Sequence, residues 1–240
     1  MDFFQKKKQL YNETFISKYK PYFIDNFYGN EHLISILKSL MEIDDINILV
    51  TGPTNSGKTS LLYAVIREYY DLKKNDSFPE NNIMFINSLK EQGINYYRNE
   101  MKSFSQSKCS IYGKKKLIIV DDLDLINEQC QQVFRNHIDK YKANVQFISV
   151  CSNVHKVIES LQSRLHILKM ISPDITTVQT IMNNIILKEN LHISNEAREY
   201  LLSFSKYSIR EILSHLEKIS ILSTNNELID IEKCKNIISN

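Results

Sequence analysis

Ile46-Asn47-Ile48-Leu49-Val50-Thr51-Gly52-Pro53-Thr54-Asn55-Ser56-Gly57-Lys58-Thr59 is the stretch on which the fold turns. Residues 46–50 are short, apolar and β-branched, which predicts a buried strand. A helical pattern through Leu61, Leu62, Val65 and Ile66 follows the glycine loop. Strand, loop and helix in that order give the G-x-x-x-x-G-K-[ST] match at 52–59 the context it requires. Its chemistry is that of charge. Backbone N–H groups of the loop and of the helix start attract phosphate oxygens, Lys58 brings a cation to the β and γ phosphates, and the Thr59 hydroxyl is a ligand for Mg²⁺. Gly52, Pro53, Thr54, Asn55, Ser56, Gly57, Lys58, Thr59 and Ser60 are therefore the predicted ATP-binding set.

Further strands are predicted at 83–86, 117–120 and 145–150, with helices at about 95–104 and 130–141 between them. Upstream, Asn30-Glu31 opens an amphipathic helix through Ile34, Leu37 and Leu40. Strands alternating with helices imply a parallel sheet covered on both faces. The strand Leu117-Ile118-Ile119-Val120 runs into Asp121-Asp122. Carboxylates leaving a buried strand at its C-terminal end stand at the edge where open α/β sheets bind ligands. Asp121 is the predicted magnesium-side carboxylate, and Asp122 stands where such ATPases place a glutamate that orients the attacking water. An aspartate is one methylene shorter, so sound binding with slow hydrolysis is expected. After Ser172-Pro173 the strand signals fade into helices at about 174–188, 195–205, 208–223 and 230–238. The expected architecture is α/β: a P-loop AAA+ parallel-sheet domain at 1–172, then a small helical lid domain at 173–240.

Composition narrows the classes. Thirty basic and 28 acidic residues leave a net charge of +2, so no global field marks a nucleic-acid or membrane binder. The four cysteines, at 109, 130, 151 and 234, form no C-x-x-C pair, and the six histidines are scattered, which speaks for reduced thiols and against zinc. No run approaches the ~18 apolar residues of a membrane span, and the N-terminus lacks a cleavage pattern, so a nuclear or cytoplasmic chain is expected.

Several segments together resemble the small subunits of the replication factor C clamp loaders. They are Phe15-Ile16-Ser17-Lys18-Tyr19-Lys20-Pro21, Tyr28-Gly29-Asn30-Glu31-His32, the P-loop, Asn87-Ser88-Leu89-Lys90-Glu91-Gln92-Gly93-Ile94, and Ser160-Leu161-Gln162-Ser163-Arg164-Leu165. The resemblance covers roughly 15–240, the family's ATPase and lid domains. The chain given ends before the helical collar into which such subunits continue. It implies that Lys18, Tyr19, Lys20, Pro21, Tyr28 and Gly29 lie on the adenine and ribose side of the pocket. It makes Arg164 an arginine finger for the neighbouring subunit's nucleotide, and Arg210, in Tyr207-Ser208-Ile209-Arg210-Glu211, a second sensor for its own. The chain departs from the pattern in three places. Ser152, with Asn153 next to it, stands where the first sensor is usually asparagine. Asp122 replaces glutamate, and Gln92 replaces arginine.

The resemblance also implies partners: other AAA+ clamp-loader subunits in a heteromeric ring, a sliding clamp and primer-template DNA, with no membrane. Lys90, Gln92, Lys102 and Lys114-Lys115-Lys116 are the DNA candidates, although a lysine run beside a strand is commonly a solvated edge. Ser110-Ile111-Tyr112-Gly113 aligns with the clamp-facing element, with Ile111 and Tyr112 as an exposed apolar anchor. Two other functions stay open: a subunit that holds ATP while neighbours hydrolyse it, and an origin-recognition or helicase-loading ATPase.

Overall fold

The computed structural model describes residues 13–88, 93–223 and 228–239. By their internal contacts these residues form two units, 21–172 and 13–20 together with the chain from Pro173 onward.

The larger unit is built on five parallel strands, β1 (Ile48–Thr51), β2 (Ile83–Asn87), β3 (Lys116–Asp121), β4 (Val145–Cys151) and β5 (His166–Lys169), in the order β2-β3-β4-β1-β5. Central strands buried on both faces explain the unbroken apolar runs in the sequence. Because side chains alternate along a strand, Ile48 and Val50 face one layer and Leu49 the other. The first layer is α2 (Glu31–Glu42) and α3 (Lys58–Tyr69), which contribute Leu33, Leu37, Leu61, Val65 and Ile66. The second is α4 (Ile94–Gln106) and α5 (Glu128–Tyr141), with Tyr97, Met101, Val133 and Phe134. The C-terminal strand ends lie level, with Val50 opposite both Val150 and Leu168. All the loops that leave them therefore open on one edge.

The fifth strand has no counterpart in the sequence reading. In the edge strand His166–Lys169 only Leu168 is buried and both end residues are polar, so the apolar run that marks the other four, including the opposite edge strand β2, is missing. A short helix, α6 (Glu159–Gln162), precedes it.

In the helical unit α7 (Ile175–Lys188), α8 (Asn195–Phe204), α9 (Ile209–Leu222) and α10 (Ile231–Ser239) share a core that includes Met182, Ile185, Leu201, Leu216, Ile219 and Cys234. Asp174, Ser194 and Ser208 accept hydrogen bonds from the first-turn N–H groups of α7, α8 and α9, which fixes where those helices start. The expected assignment of the N-terminal segment to the sheet domain needs correction. Helix α1 (Phe15–Lys18) lies against α9, and Phe15 is buried in the helical core. Lys18 Nζ pairs with Glu189 Oε1 at 2.6 Å, and the Tyr19 hydroxyl donates to the same oxygen. Among the described residues no helix is long and apolar enough to cross a membrane. The four thiols are free, those of Cys130, Cys151 and Cys234 being buried.

Gln131 of α5 is fully buried and ties two of the edge loops together. Its Nε2 donates to Ile126 O at 2.8 Å, in the loop after β3, and to Lys156 O at 3.0 Å, after β4. Its Oε1 accepts from Ile158 N at 2.9 Å. Leucine fills a similar volume but leaves these backbone groups unpaired, at about 1–3 kcal/mol each where water cannot reach them. Gln131→Leu is expected to lower the stability of the chain by about 3 kcal/mol or more. Urea unfolding checks this: the midpoint falls while the slope is unchanged, and an unchanged midpoint refutes it.

Candidate nucleotide site

The site begins where β1 ends. A Cβ on Gly52 would lie 2.7 Å from Met170 O and 3.2 Å from Ser56 Oγ, so only glycine lets the loop leave the sheet there. Asn55 (φ 63°) and Gly57 (φ 95°) are both left-handed and curl the loop back into α3. Glycine adopts that conformation freely, and asparagine is among the side chains that tolerate it. Lys58, the first residue of α3, is buried, and its Nζ donates to the Gly52 and Pro53 carbonyls at 3.0 and 2.8 Å. No side chain caps α3, whose N-cap is Gly57, so its first-turn N–H groups face outward with the partial positive charge of a helix start. The Ser56 hydroxyl is buried without a hydrogen-bond partner. Pro53, Thr54, Asn55 and Thr59 are exposed, and Ser60 is half-buried in the first turn.

Across the sheet, Thr59 Oγ1 donates to Asp121 Oδ1 at 3.2 Å. A hydroxyl and a carboxylate side by side are the hard oxygen donors that magnesium takes when phosphates and water complete its shell. The uncapped helix start, the orphaned Ser56 hydroxyl and Lys58 fit the phosphates themselves. Asp122 has φ 53°, left-handed and closing β3 into a tight turn at 123–125. Burial raises its carboxyl above the usual range, helped by the charges of Asp121 and Asp124 and opposed by Lys58.

The Ser152–Asn153 loop follows β4. Its two N–H groups donate to one carboxylate, Ser152 N to Asp124 Oδ1 at 3.4 Å and Asn153 N to Asp124 Oδ2 at 3.0 Å. Asn153 Oδ1 is engaged locally, capping His155 N at 3.0 Å, whereas Ser152 is exposed directly at the strand end. On the other flank, Tyr28 is exposed and Gly29 is left-handed at φ 76°. Their loop is anchored by the buried Asn30, whose side chain accepts from Ile171 N at 2.9 Å and donates to Ile171 O at 3.1 Å, one residue beyond the carbonyl that crowds Gly52.

Arg164 makes no hydrogen bond to this loop. Its Nε pairs with Asp139 Oδ1 at 2.7 Å and its NH1 donates to Ser160 O at 2.6 Å; the hydrogen bond from Arg164 holds the Asp139 carboxyl below its usual range. Lys18, Tyr19, Lys20 and Arg210 belong to the helical unit, where Arg210 is exposed in the first turn of α9; Pro21 begins the sheet unit.

Two partner expectations are corrected. The lysine run is not a free edge: β3 is an inner strand, and each lysine is engaged within the fold. Lys114 pairs with Asp71 at 3.3 Å, Lys115 with Asp44 at 3.0 Å, and the buried Lys116 donates to Ser107 Oγ and Phe104 O. Ile111 is half-buried against the core, which leaves the fully exposed Tyr112 alone as the apolar tip. Lys102 is exposed on α4, while Lys90 and Gln92 lie outside the described residues. Asp124 and Asn30 escaped the sequence reading as site residues. The Asp-Asp-Leu-Asp run was a signal for the first; nothing local signals the second, which reads as a helix opener.

A P-loop, an acidic strand end and a polar third loop on one edge of a β2-β3-β4-β1-β5 parallel sheet define a nucleotide-binding ATPase fold. Residues 48–172, more than half of the chain, match the family described as "ATPase family associated with various cellular activities (AAA)", and the chain belongs to it. Its curated relatives include replication factor C subunit 3 of Saccharomyces cerevisiae, 28% identical over 88% of this chain and 61% of that protein. The human replication factor C subunit 4 is 28% identical over 90% and 60%, and a putative replication factor C small subunit of Acanthamoeba polyphaga mimivirus is 28% identical over 91% and 63%. The chain thus spans about three fifths of the length of these relatives. Among solved structures, the Thermotoga maritima RuvB Holliday junction branch migration motor shares the fold, with a TM-score of 0.67 at 13% identity over 92% of this chain and 72% of that one.

Lys58→Ala removes the cation from the phosphate cradle and also the two bonds that hold the loop carbonyls. ATP affinity is expected to fall on the order of 10²-fold or more, the scale for losing a buried, hydrogen-bonded charge. Titration calorimetry with ATP-Mg²⁺ checks it, and equal affinity in parent and variant would remove the phosphate-binding reading.

Proposed function

We propose that this chain is the ATP-binding and ATP-hydrolysing subunit of a clamp-loader-like complex that places a sliding clamp on primed DNA. The observation that carries the proposal is the similarity of 84–95% of the chain to replication factor C subunits, with the phosphate loop, Thr59 and Asp121 in working order beneath it. Magnesium, when bound with ATP, offsets phosphate charge; Thr59 and Asp121 are the residues that would hold it. Lys58 and the α3 start bind the phosphates. Tyr28 and Gly29, with Lys18, Tyr19, Lys20 and Pro21, supply the adenine and ribose side. Asp122 orients water, while Ser152 and Arg210 sense the γ-phosphate. Partners would be AAA+ neighbours, the clamp through Tyr112, and primer-template DNA through α4 with Lys102. Co-purification with a sliding clamp tests this reading; an assembly containing a helicase and no clamp would point to the helicase-loading class.

Arg164 suits a role in trans, because the half-exposed Asp139, and not its own phosphate loop, engages it. Arg164→Ala is expected to leave nucleotide binding by the isolated chain intact and to lower ATP turnover of the assembly by up to about 10³–10⁵, the range for arginine fingers. Unchanged steady-state turnover of the complex would make Arg164 a structural arginine.

The alternative of a subunit that only holds nucleotide turns on Asp122. Its left-handed backbone redirects the carboxylate, and aspartate tolerates that conformation better than glutamate, for which about 1 kcal/mol or more of strain is expected. Asp122→Glu is therefore expected to hydrolyse ATP no faster than the parent in single-turnover measurements within an assembly whose other sites are disabled. A faster glutamate variant would favour the holding role.

A further inference from the structure

We propose that Asp124 is a positioning residue that fixes the Ser152–Asn153 loop to the acidic loop carrying Asp121 and Asp122, so that one carboxylate sets the separation of the water-orienting and phosphate-sensing groups. The inference rests on the ATP reading of the site for its functional consequence, but not for its geometry.

The ladder between β3 and β4 ends at Val120 opposite Ser149, after which β4 continues only beside β1, through Val150 and Cys151. Beyond that point no strand pairing holds the two loops together. Asp122 turns the chain at φ 53°, Leu123 anchors the turn in the core with no exposure, and the reversal returns Asp124 toward the end of β4. There its two oxygens take the successive N–H groups of Ser152 and Asn153, 28 and 29 residues away in sequence. The Asn153 side-chain oxygen is occupied in capping His155 N, so the height of the loop is set through its backbone. Asp124 lies close enough to Asp122 for the two carboxylates to repel. The charge-assisted bond from Asn153 N and the longer contact from Ser152 N are the compensating interactions. The carboxylate does not touch the reacting atoms; it acts through Ser152.

The test uses Asp124→Ala and Asp124→Asn. In the nucleotide-free full chain, amide hydrogen exchange read by NMR should accelerate about tenfold or more at Ser152 and Asn153 in the alanine variant, the factor expected for losing a charge-assisted bond. The asparagine variant, which keeps one acceptor in place, should be intermediate, and amides of the β4 interior should be unchanged. In the assembled complex, single-turnover hydrolysis should fall about 10²-fold in the alanine variant, the scale of an ångström misplacement, with ATP affinity within about threefold of the parent. Asparagine should restore part of the rate. Parent-like exchange at both amides overturns the proposal, as does a rate loss matched by an equal loss of ATP affinity. If the alanine variant does not fold, the asparagine variant carries both comparisons: exchange and single-turnover rate both shifted, with affinity kept, support the role, and parent values in either overturn it. A parent chain that fails to bind ATP would defeat the ATP reading, and the exchange comparison would then decide the tether by itself.

Discussion

The contact between the backbone at Gly52 and the carbonyl of Met170 is the constraint on which the rest of the site depends. β1 lies between β4 and β5, so the chain leaving it must pass the chain leaving β5, and there is no room for a side chain at the crossing. Because residue 52 is bare, the loop stays low, the Gly52 and Pro53 carbonyls come within reach of Lys58, and α3 starts directly above the strand end. Asn30 fastens Ile171 on the far side of the same crossing, which brings the Tyr28–Gly29 loop into register with the phosphate loop. One steric condition at the sheet edge thereby aligns two stretches that are 141 residues apart at their Asn30–Ile171 junction.

Much of this was legible in the sequence, and the reasons are physical. The central strands β1, β3 and β4 are buried on both faces and so are apolar nearly throughout, and the edge strand β2 is also an apolar run; β5, at the other edge, keeps only Leu168 buried and begins and ends on polar residues, so it does not stand out. The helices of the C-terminal unit were legible because Asp174, Ser194 and Ser208 cap them and their apolar faces repeat at helical spacing. The phosphate loop and Asp121 were legible because their chemistry is tied to short spacing.

The sequence misleads where one residue type has two uses. Three consecutive lysines look like a solvated, DNA-facing edge, but the long aliphatic stem allows Lys116 to lie buried while its ammonium reaches Phe104 O and Ser107 Oγ, and Lys114 and Lys115 find carboxylates on other segments. The α1 segment precedes the sheet domain in sequence yet belongs to the helical unit, because the apolar ring of Phe15 and the Glu189 carboxylate bind it there. Asp124, Asn30 and Gln131 form a third group: polar side chains that hold backbone across 25 or more residues. Such bonds leave no periodic trace, since each needs only one well-placed side chain and an unpaired backbone group elsewhere.

Arg164 shows what a weak ion pair permits. Arg164 is pre-oriented by Asp139 and the Ser160 carbonyl, and the Asp139 carboxylate is itself half exposed. Ion pairs of that exposure contribute about 0–1 kcal/mol, because water competes for both partners. Such contacts order the planar donors at little cost, so an exchange of Asp139 for another anion would forfeit little stability. A fully buried partner would have held the side chain too tightly for such an exchange, since breaking a buried pair costs about 3–5 kcal/mol. The shallow position of the Arg164–Asp139 pair is thus compatible with the role proposed for Arg164 at a neighbouring subunit's nucleotide.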